Sequence, residues 1–323
     1  MYPLVFKKVL IKKIWGGRAF EKELNFRLED NDKYGESWEV SSHPNGMSVV
    51  ENGEFKGKTL QELLSEYKGK LVGERIYKKY GDKFPLLIKY LDINDRLSVQ
   101  VHPDDEYALK NENEYGKSES WYVLKASSDA KLILGIKEGI TKDIFKKKVE
   151  KNDFNDLFNI VRVKEGDLIN INPGTVHASL EGSILICEPQ QNSDSTYRIY
   201  DFDRIVDGKK RELHIDKALD VIKFDEKAKI INENSVESIK KENFIKKELT
   251  KDKYYDLEIL EIKKEYNEKA EDLFKVYMIL EGEGEIEYDN NKYNIKKGKS
   301  YLIPANLEIN INGKVKILRI IPK

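Results

Sequence analysis

The 323-residue chain has one cysteine, Cys187. A single thiol rules out internal disulfides and fits a reducing compartment. No apolar run approaches the roughly 18 residues of a membrane-spanning helix. The opening MYPLVFKKVL has neither the apolar core nor the cleavage site of a secretory leader. Neither sign of charge is in excess, because 57 Lys and Arg stand against 58 Asp and Glu, a net charge of −1. A nucleic-acid-binding surface would need a basic surplus. A cytoplasmic protein without nucleic-acid or membrane partners is therefore expected. Glycine-rich phosphate loops and nucleotide-transfer motifs are also missing. Histidine is scarce: there are four, and none follows His214.

Against that scarcity, residues 97–103, LSVQVHP, stand out. Side chains alternate along a strand, so Leu97, Val99 and Val101 share one face, and Ser98, Gln100 and His102 share the other. A solvated face explains a serine more readily than a glutamine beside a histidine. At 115–123, YGKSESWYV, Glu119 sits where the turn residue Gly116 gives way to a β-rich run. At 166–177, GDLININPGTVH, an apolar strand runs into a Pro173-Gly174 turn, with His177 just beyond it. Taken alone, either histidine is more often an ordinary buried or surface residue. Together, Gln100, His102, Glu119 and His177 form a nitrogen and oxygen ligand set. Such a set suits a borderline cation such as zinc and leaves room for water or substrate.

Most of the chain reads as short strands punctuated by Gly, Asn and Asp. Thr59-Leu60-Gln61-Glu62 is a capping box opening a helix through Leu63, Leu64 and Tyr67, with the helical pattern resuming through Val72, Ile76 and Tyr80. Further helices are expected after Thr141, over 103–111 and over 215–223. Residues 224–252 are charged and glycine-poor, and read as a connector with one or two strands. New strands follow in YDLEILEIKK, FKVYMILEGEGEIEY and NKYNIKKGKSYLIPA. A chain of this length accommodates one large or two ordinary domains.

The segments QVHPDDEYA (100–108), GKSESWYV (116–123), PGTVHA (173–178) and EPQQNSDSTYRIYDFDR (188–204) resemble the type I mannose-6-phosphate isomerases. KIWGG (13–17), GESWEVSSHPNG (35–46) and RELHIDKAL (211–219) agree. The resemblance is to the short bacterial form of about 320 residues. It runs in order from residue 3 to about 220 and weakens beyond. It implies a mainly β bicupin, two jelly-roll-like β-barrels with a few helical insertions. The expected division is a catalytic cupin domain over 1–225, a connector over 226–249 and a cupin-like domain over 250–323. The last segment keeps the strand-and-turn rhythm, including Gly298 and Pro304, but has no histidine, so it is expected to bind no metal.

What the resemblance implies chemically is a proton shift between C1 and C2 of a sugar phosphate through an enediol or enediolate. One zinc per chain, held by Gln100, His102, Glu119 and His177, would be the electrophile. Arg198 matches the family's active-site arginine. A guanidinium stays protonated, so it can steady an oxyanion but is a poor proton shuttle. Glu188, ten residues earlier, shares a strand face with Ile184 and Ile186, where apolar neighbours should raise its pKa towards that of a working base. Lys117, two residues before Glu119, is a candidate contact to substrate oxygens or phosphate. Trp15, beside Gly16 and Gly17, is a candidate wall of the sugar site, or equally a core residue. His43 and His214 read as supporting residues. The base is Glu188, Lys117 or a metal-bound hydroxide. The partner is a small sugar phosphate, the assembly a monomer or homodimer. Two other classes fit parts of the pattern: an iron-type cupin oxygenase using two histidines and one carboxylate, and a non-catalytic cupin that only binds a sugar phosphate.

Overall fold

The computed structural model describes residues 1–206, 208–226 and 228–323. It is mainly β, with jelly-roll-like layers built from open sheets. A seven-stranded sheet runs in the order Val9–Gly17, Tyr34–Val40, Leu86–Ile93, Ile184–Gln191, Glu119–Ala126, Asp167–Ile171, Lys229–Asn232. Facing it is a five-stranded sheet, Tyr197–Tyr200, Val99–Val101, His177–Glu181, Lys131–Ile136, Phe158–Arg162. The space between them is packed with Leu91, Trp121, Ile169, Ile171, Ile184 and Ile186 from the first sheet and Leu132 and Leu134 from the second. The second sheet's outer face, with Val99, Val101 and Ile199, is covered by Phe145 and Val149 of helix Lys142–Glu150 and by Ala218 and Leu219 of helix Ile215–Val221.

Pleat parity therefore puts Val99 and Val101 under helices and turns Gln100 towards the inter-sheet space. Leu97 departs from the expected face. It precedes the strand, its backbone N–H donating to Ser179 O, and its side chain joins Leu91 and Ile93 between the sheets. The expected helices are present. Thr59 and Glu62 form the reciprocal capping box before helix Leu60–Tyr67. The helical run to Tyr80 is cut into three pieces at Lys68 (φ 49°) and Gly73 (φ 94°), which the periodicity did not reveal.

An eight-stranded sheet forms the C-terminal part, ordered Ser238–Lys240, Phe244–Lys251, Tyr255–Ile262, Ile309–Pro322, Lys275–Tyr288, Asn291–Lys296. Strands Glu265–Glu268 and Ser300–Ile303 add to its two long members. The described residues of 226–249 are shared out: Lys229–Asn232 pairs with Asp167–Ile171 in the first sheet, whereas Ser238–Lys240 and the start of Phe244–Lys251 belong to the C-terminal sheet. The two parts are sewn together by a Leu4–Leu302 bridge and a common apolar cluster that includes Tyr90, Cys187, Leu257 and Met278.

Candidate metal centre

Two rows of side chains meet between the facing sheets. In the five-stranded sheet, Arg198 stands opposite Gln100, and Gln100 opposite His177, three residues abreast on adjacent strands. The strand bearing His177 starts after a turn in which Gly174 takes φ 92° and donates its N–H to His102 O at 2.9 Å. That positive φ favours glycine, and the bond ties the two histidine-bearing segments together. From the seven-stranded sheet comes Glu119, opposite Ile171 and Gln190.

His102, Glu119 and His177 are each 1% exposed, and one ligand atom from each lies within 4.8 Å of the others. His177 Nε2 is 3.1 Å from Glu119 Oε1, and His102 Nε2 is 3.4 Å from Oε2. The Nδ1 atoms point away, His102 to Ser195 O at 2.9 Å and His177 to Thr175 O at 3.0 Å. A backbone carbonyl only accepts, so both rings carry their proton on Nδ1 and turn an Nε2 lone pair towards Glu119. Burial and the Lys117 ammonium push His102 well below the usual imidazole range, so it is neutral. Burial opposes ionisation of Glu119, but the Lys117 ammonium, the foremost opposing influence, helps hold the carboxyl well below the usual range. Among the described residues, neither Glu119 oxygen accepts a hydrogen bond of acceptable geometry. Lys117 Nζ is 2.9 Å from Oε2 but off-line. A buried carboxylate faced by two imidazole lone pairs, with only an ill-aligned ammonium beside it, is a costly arrangement that a metal ion would relieve. These three residues fit a metal ion.

Gln100 Nε2 lies 3.3 Å from His177 Nε2, and its Oε1 accepts from Ser98 Oγ at 3.3 Å. As a ligand it would present the oxygen, which needs only an amide flip. Gln100 and Arg198 are half-buried, whereas the triad is buried. Arg198 does not pair with Asp201, which is taken by Arg204 and Arg211. Instead its Nη1 donates to Glu212 O at 2.8 Å, and its buried Nε has no partner among the described residues. Lys117 is buried and sits 3.2 Å from His102 Nε2 as well as beside Glu119. Burial works against its charge, but Glu119 and Glu188 prevail and raise its pKa.

Glu188 is 3% exposed and meets Trp121 Nε1 at 2.8 Å and Lys89 Nζ at 3.5 Å; no bond to Arg198 forms. Burial, reinforced by Glu119, raises its pKa. Lys89 also lies 3.8 Å from Glu36, which accepts from Trp38 Nε1 and pairs with Lys13 at 2.9 Å. Burial is more than offset there by Lys89 and Lys13, which hold Glu36 at about 2. Two buried carboxylates share one lysine, and their environments drive them apart, the usual way to separate an ionised group from a proton carrier. Trp15 is 6% exposed and packs in the apolar inter-sheet cluster that also contains Trp121.

Residues 4–125 match the phosphomannose isomerase type I catalytic domain, and residues 245–322 match the mannose-6-phosphate isomerase cupin domain. The mannose-6-phosphate isomerase ManA of Bacillus subtilis is 38% identical over 314 residues, 96% of each chain. The chain belongs to the type I mannose-6-phosphate isomerase family. The mannose-6-phosphate isomerase of Streptococcus mutans is 45% identical over 68% of this chain and 67% of that one. The crystal structure of the Bacillus subtilis mannose 6-phosphate isomerase superposes with a TM-score of 0.90 at 32% identity over 99% of both chains. A Salmonella typhimurium phosphomannose isomerase shares the fold, with a TM-score of 0.76 at 16% identity. Membership agrees with the sequence resemblance and with a cupin in the C-terminal part, where the family resemblance in sequence was weakest.

Sequence reading passed over Lys89 and Glu36. A signal existed: a lysine inside the otherwise apolar LLIKYL of a wholly buried strand is costly without a carboxylate opposite it. Among the described residues, no helix is long and apolar enough to cross a membrane.

Proposed function

We propose that this family member interconverts mannose 6-phosphate and fructose 6-phosphate, with one zinc held by His102, Glu119 and His177, and Gln100 or water completing the shell. The observation that carries this reading is the buried, ionised Glu119 carboxylate, without a well-formed hydrogen bond among the described residues and set between two aligned imidazoles. When bound, zinc supplies a Lewis acid for the substrate's carbonyl and neighbouring hydroxyl.

The rest falls to the chain's own side chains. Glu188, in its ionised form, takes the proton from C2 of mannose 6-phosphate and returns it to C1. Its raised pKa suits a base working near neutrality. Trp121 Nε1 holds the carboxylate in place. Arg198 steadies the enediolate oxygen; its buried Nε, without a partner among the described residues, is a donor in want of an acceptor. Lys117 keeps its charge and binds substrate oxygens or phosphate. Trp15 closes the apolar wall behind the site. On this reading residues 1–225 carry the chemistry, 226–249 connect, and 250–323 bind no metal. The enzyme works in the cytoplasm.

The test is an isomerase assay on a panel of sugar phosphates, with metal analysis of the same preparation. Turnover of mannose 6-phosphate, lost on chelation and restored by zinc, is expected. A zinc-loaded protein that binds mannose 6-phosphate without turning it over would replace the isomerase by a binding protein. Iron as the supporting metal would favour oxygenase chemistry.

A further inference from the structure

One carboxylate outside the cluster converges on the group that orients His102. Glu114 lies in the loop between helix Asp105–Asn111 and strand Glu119–Ala126. Its Oε2 accepts from Ser195 Oγ at 2.9 Å, from Ser193 Oγ at 3.2 Å and from Asp194 N–H at 3.3 Å. Three consecutive residues of another loop are thus gathered onto one oxygen. The carbonyl of the last, Ser195, is the acceptor for His102 Nδ1. The other oxygen of Glu114, Oε1, meets His43 Nε2 at 3.3 Å. His43 Nδ1 accepts from Asn45 N–H at 3.2 Å, so its proton sits on Nε2 and points at Glu114. His43 therefore has the opposite tautomer from His102 and His177, which suits a donor to a carboxylate rather than a ligand.

We propose that Glu114, held by His43, is a positioning residue: it fixes the Ser193–Ser195 loop so that the Ser195 carbonyl sets the tautomer and angle of His102. The proposal rests on the reading of His102 as a metal ligand. Without the clamp, the loop is free to turn its carbonyl away, and His102 loses the partner that keeps Nε2 unprotonated. Groups that orient metal-ligating histidines in this way typically contribute 10- to 100-fold in metal affinity.

The experiment is a zinc titration of the full-length, metal-free protein against a chromogenic chelator, with the visible spectrum of the cobalt(II)-loaded protein as a second readout. Glu114→Ala should weaken zinc binding by about 10- to 100-fold and shift the cobalt bands, with an unchanged melting curve for the metal-free protein. Glu114→Gln, which keeps an acceptor oxygen and loses the charge, should recover part of the affinity. Replacing Ser193 and Ser195 together by alanine removes two donors to Glu114 but keeps the Ser195 carbonyl, and should weaken zinc in the same direction even if Glu114→Ala does not fold. Wild-type zinc affinity and cobalt spectrum in both Glu114→Gln and the serine pair would overturn the proposal. His177→Ala is the control: if it too binds zinc normally, the metal reading itself has failed, whereas loss of zinc in His177→Ala alone refutes only the role of Glu114.

Discussion

Both halves of the chain bury a polar cluster inside β layers, and the two clusters end differently. In the C-terminal part Glu258, Arg319, Tyr277 and Tyr301 stand abreast on adjacent strands, on the face that carries Ile279, Ile303 and Ile317. Arg319 donates to Glu258 and Glu268, Tyr277 donates to Glu268, and Lys275 Nζ is 2.6 Å from Glu268 Oε1. Burial alone would lower the Arg319 pKa, but Glu268 and Glu258 raise it. This cluster closes on itself. The cluster around Glu119 does not, because its two histidines turn lone pairs rather than protons towards the carboxylate. The same kind of sheet interior becomes a brace when donors saturate the carboxylates, and a candidate metal centre when imidazole lone pairs face one instead.

That contrast is open to attack from either side, and the largest effect should come from the open cluster. His177→Ala should abolish zinc retention and lower kcat/KM by about 10⁴-fold or more, since metal polarisation is worth several kcal/mol. Metal analysis and the coupled assay check this, and stoichiometric zinc in the variant would remove His177 from the site. Next, Glu188→Gln keeps shape and removes the basic lone pair. It should lower kcat by about 10²- to 10⁴-fold with little change in KM. With Glu188 as the proposed base, the wild-type acid limb should lie above the ordinary glutamate value of about 4.3, because burial raises the pKa. For the metal-free protein the sign of the stability effect is opposite. A raised carboxyl stabilises the fold at pH below its unfolded value, and that contribution is lost as pH rises through the folded one. Glu188→Gln should remove both dependences. Wild-type exchange of the substrate's C2 proton with solvent in this variant would show that Glu188 is not the base.

The closed cluster should respond in stability alone. Arg319→Met leaves Glu258 and Glu268 buried and under-compensated, and should cost about 3–5 kcal/mol in denaturant unfolding with zinc content unchanged. Adding Glu258→Gln and Glu268→Gln should recover most of that loss; failure to do so would mean the cluster is more than a brace. Arg198→Ala should lose about 3–4 kcal/mol of transition-state stabilisation, as when one oxyanion donor is removed, and retain its zinc. Loss of the metal there would place the arginine in the zinc site's support instead. The smallest effect probes the seam between the halves. Tyr255 is fully buried, its Oη 3.0 Å from Pro189 O and 3.1 Å from Ser120 Oγ, each next in sequence to Glu188 or Glu119. Tyr255→Phe should cost about 1 kcal/mol of stability and change kcat only a few-fold. A collapse of activity would make the C-terminal part a direct contributor to the site.

Much of this was legible in sequence, because it depended on local rules. Period-two alternation placed Gln100 and His102 together, the Pro173-Gly174 turn put His177 at the head of its strand, and the capping box at Thr59 started its helix where expected. The absence of histidine after His214 left the C-terminal part without a histidine-based metal site. What local rules could not supply was register across strands distant in sequence. Only the folded sheets set Arg198 beside Gln100 and Gln100 beside His177, and brought Glu119 across from the facing sheet. Only they paired Glu188 with Trp121 and Lys89 rather than with Arg198. Likewise Leu97, an apolar residue in phase with Val99, went to the other core because the strand begins after it. Composition and spacing fixed which chemistry the chain can offer; hydrogen-bond partners and burial, which depend on long-range pairing, decided which carboxylate stays open and which is closed.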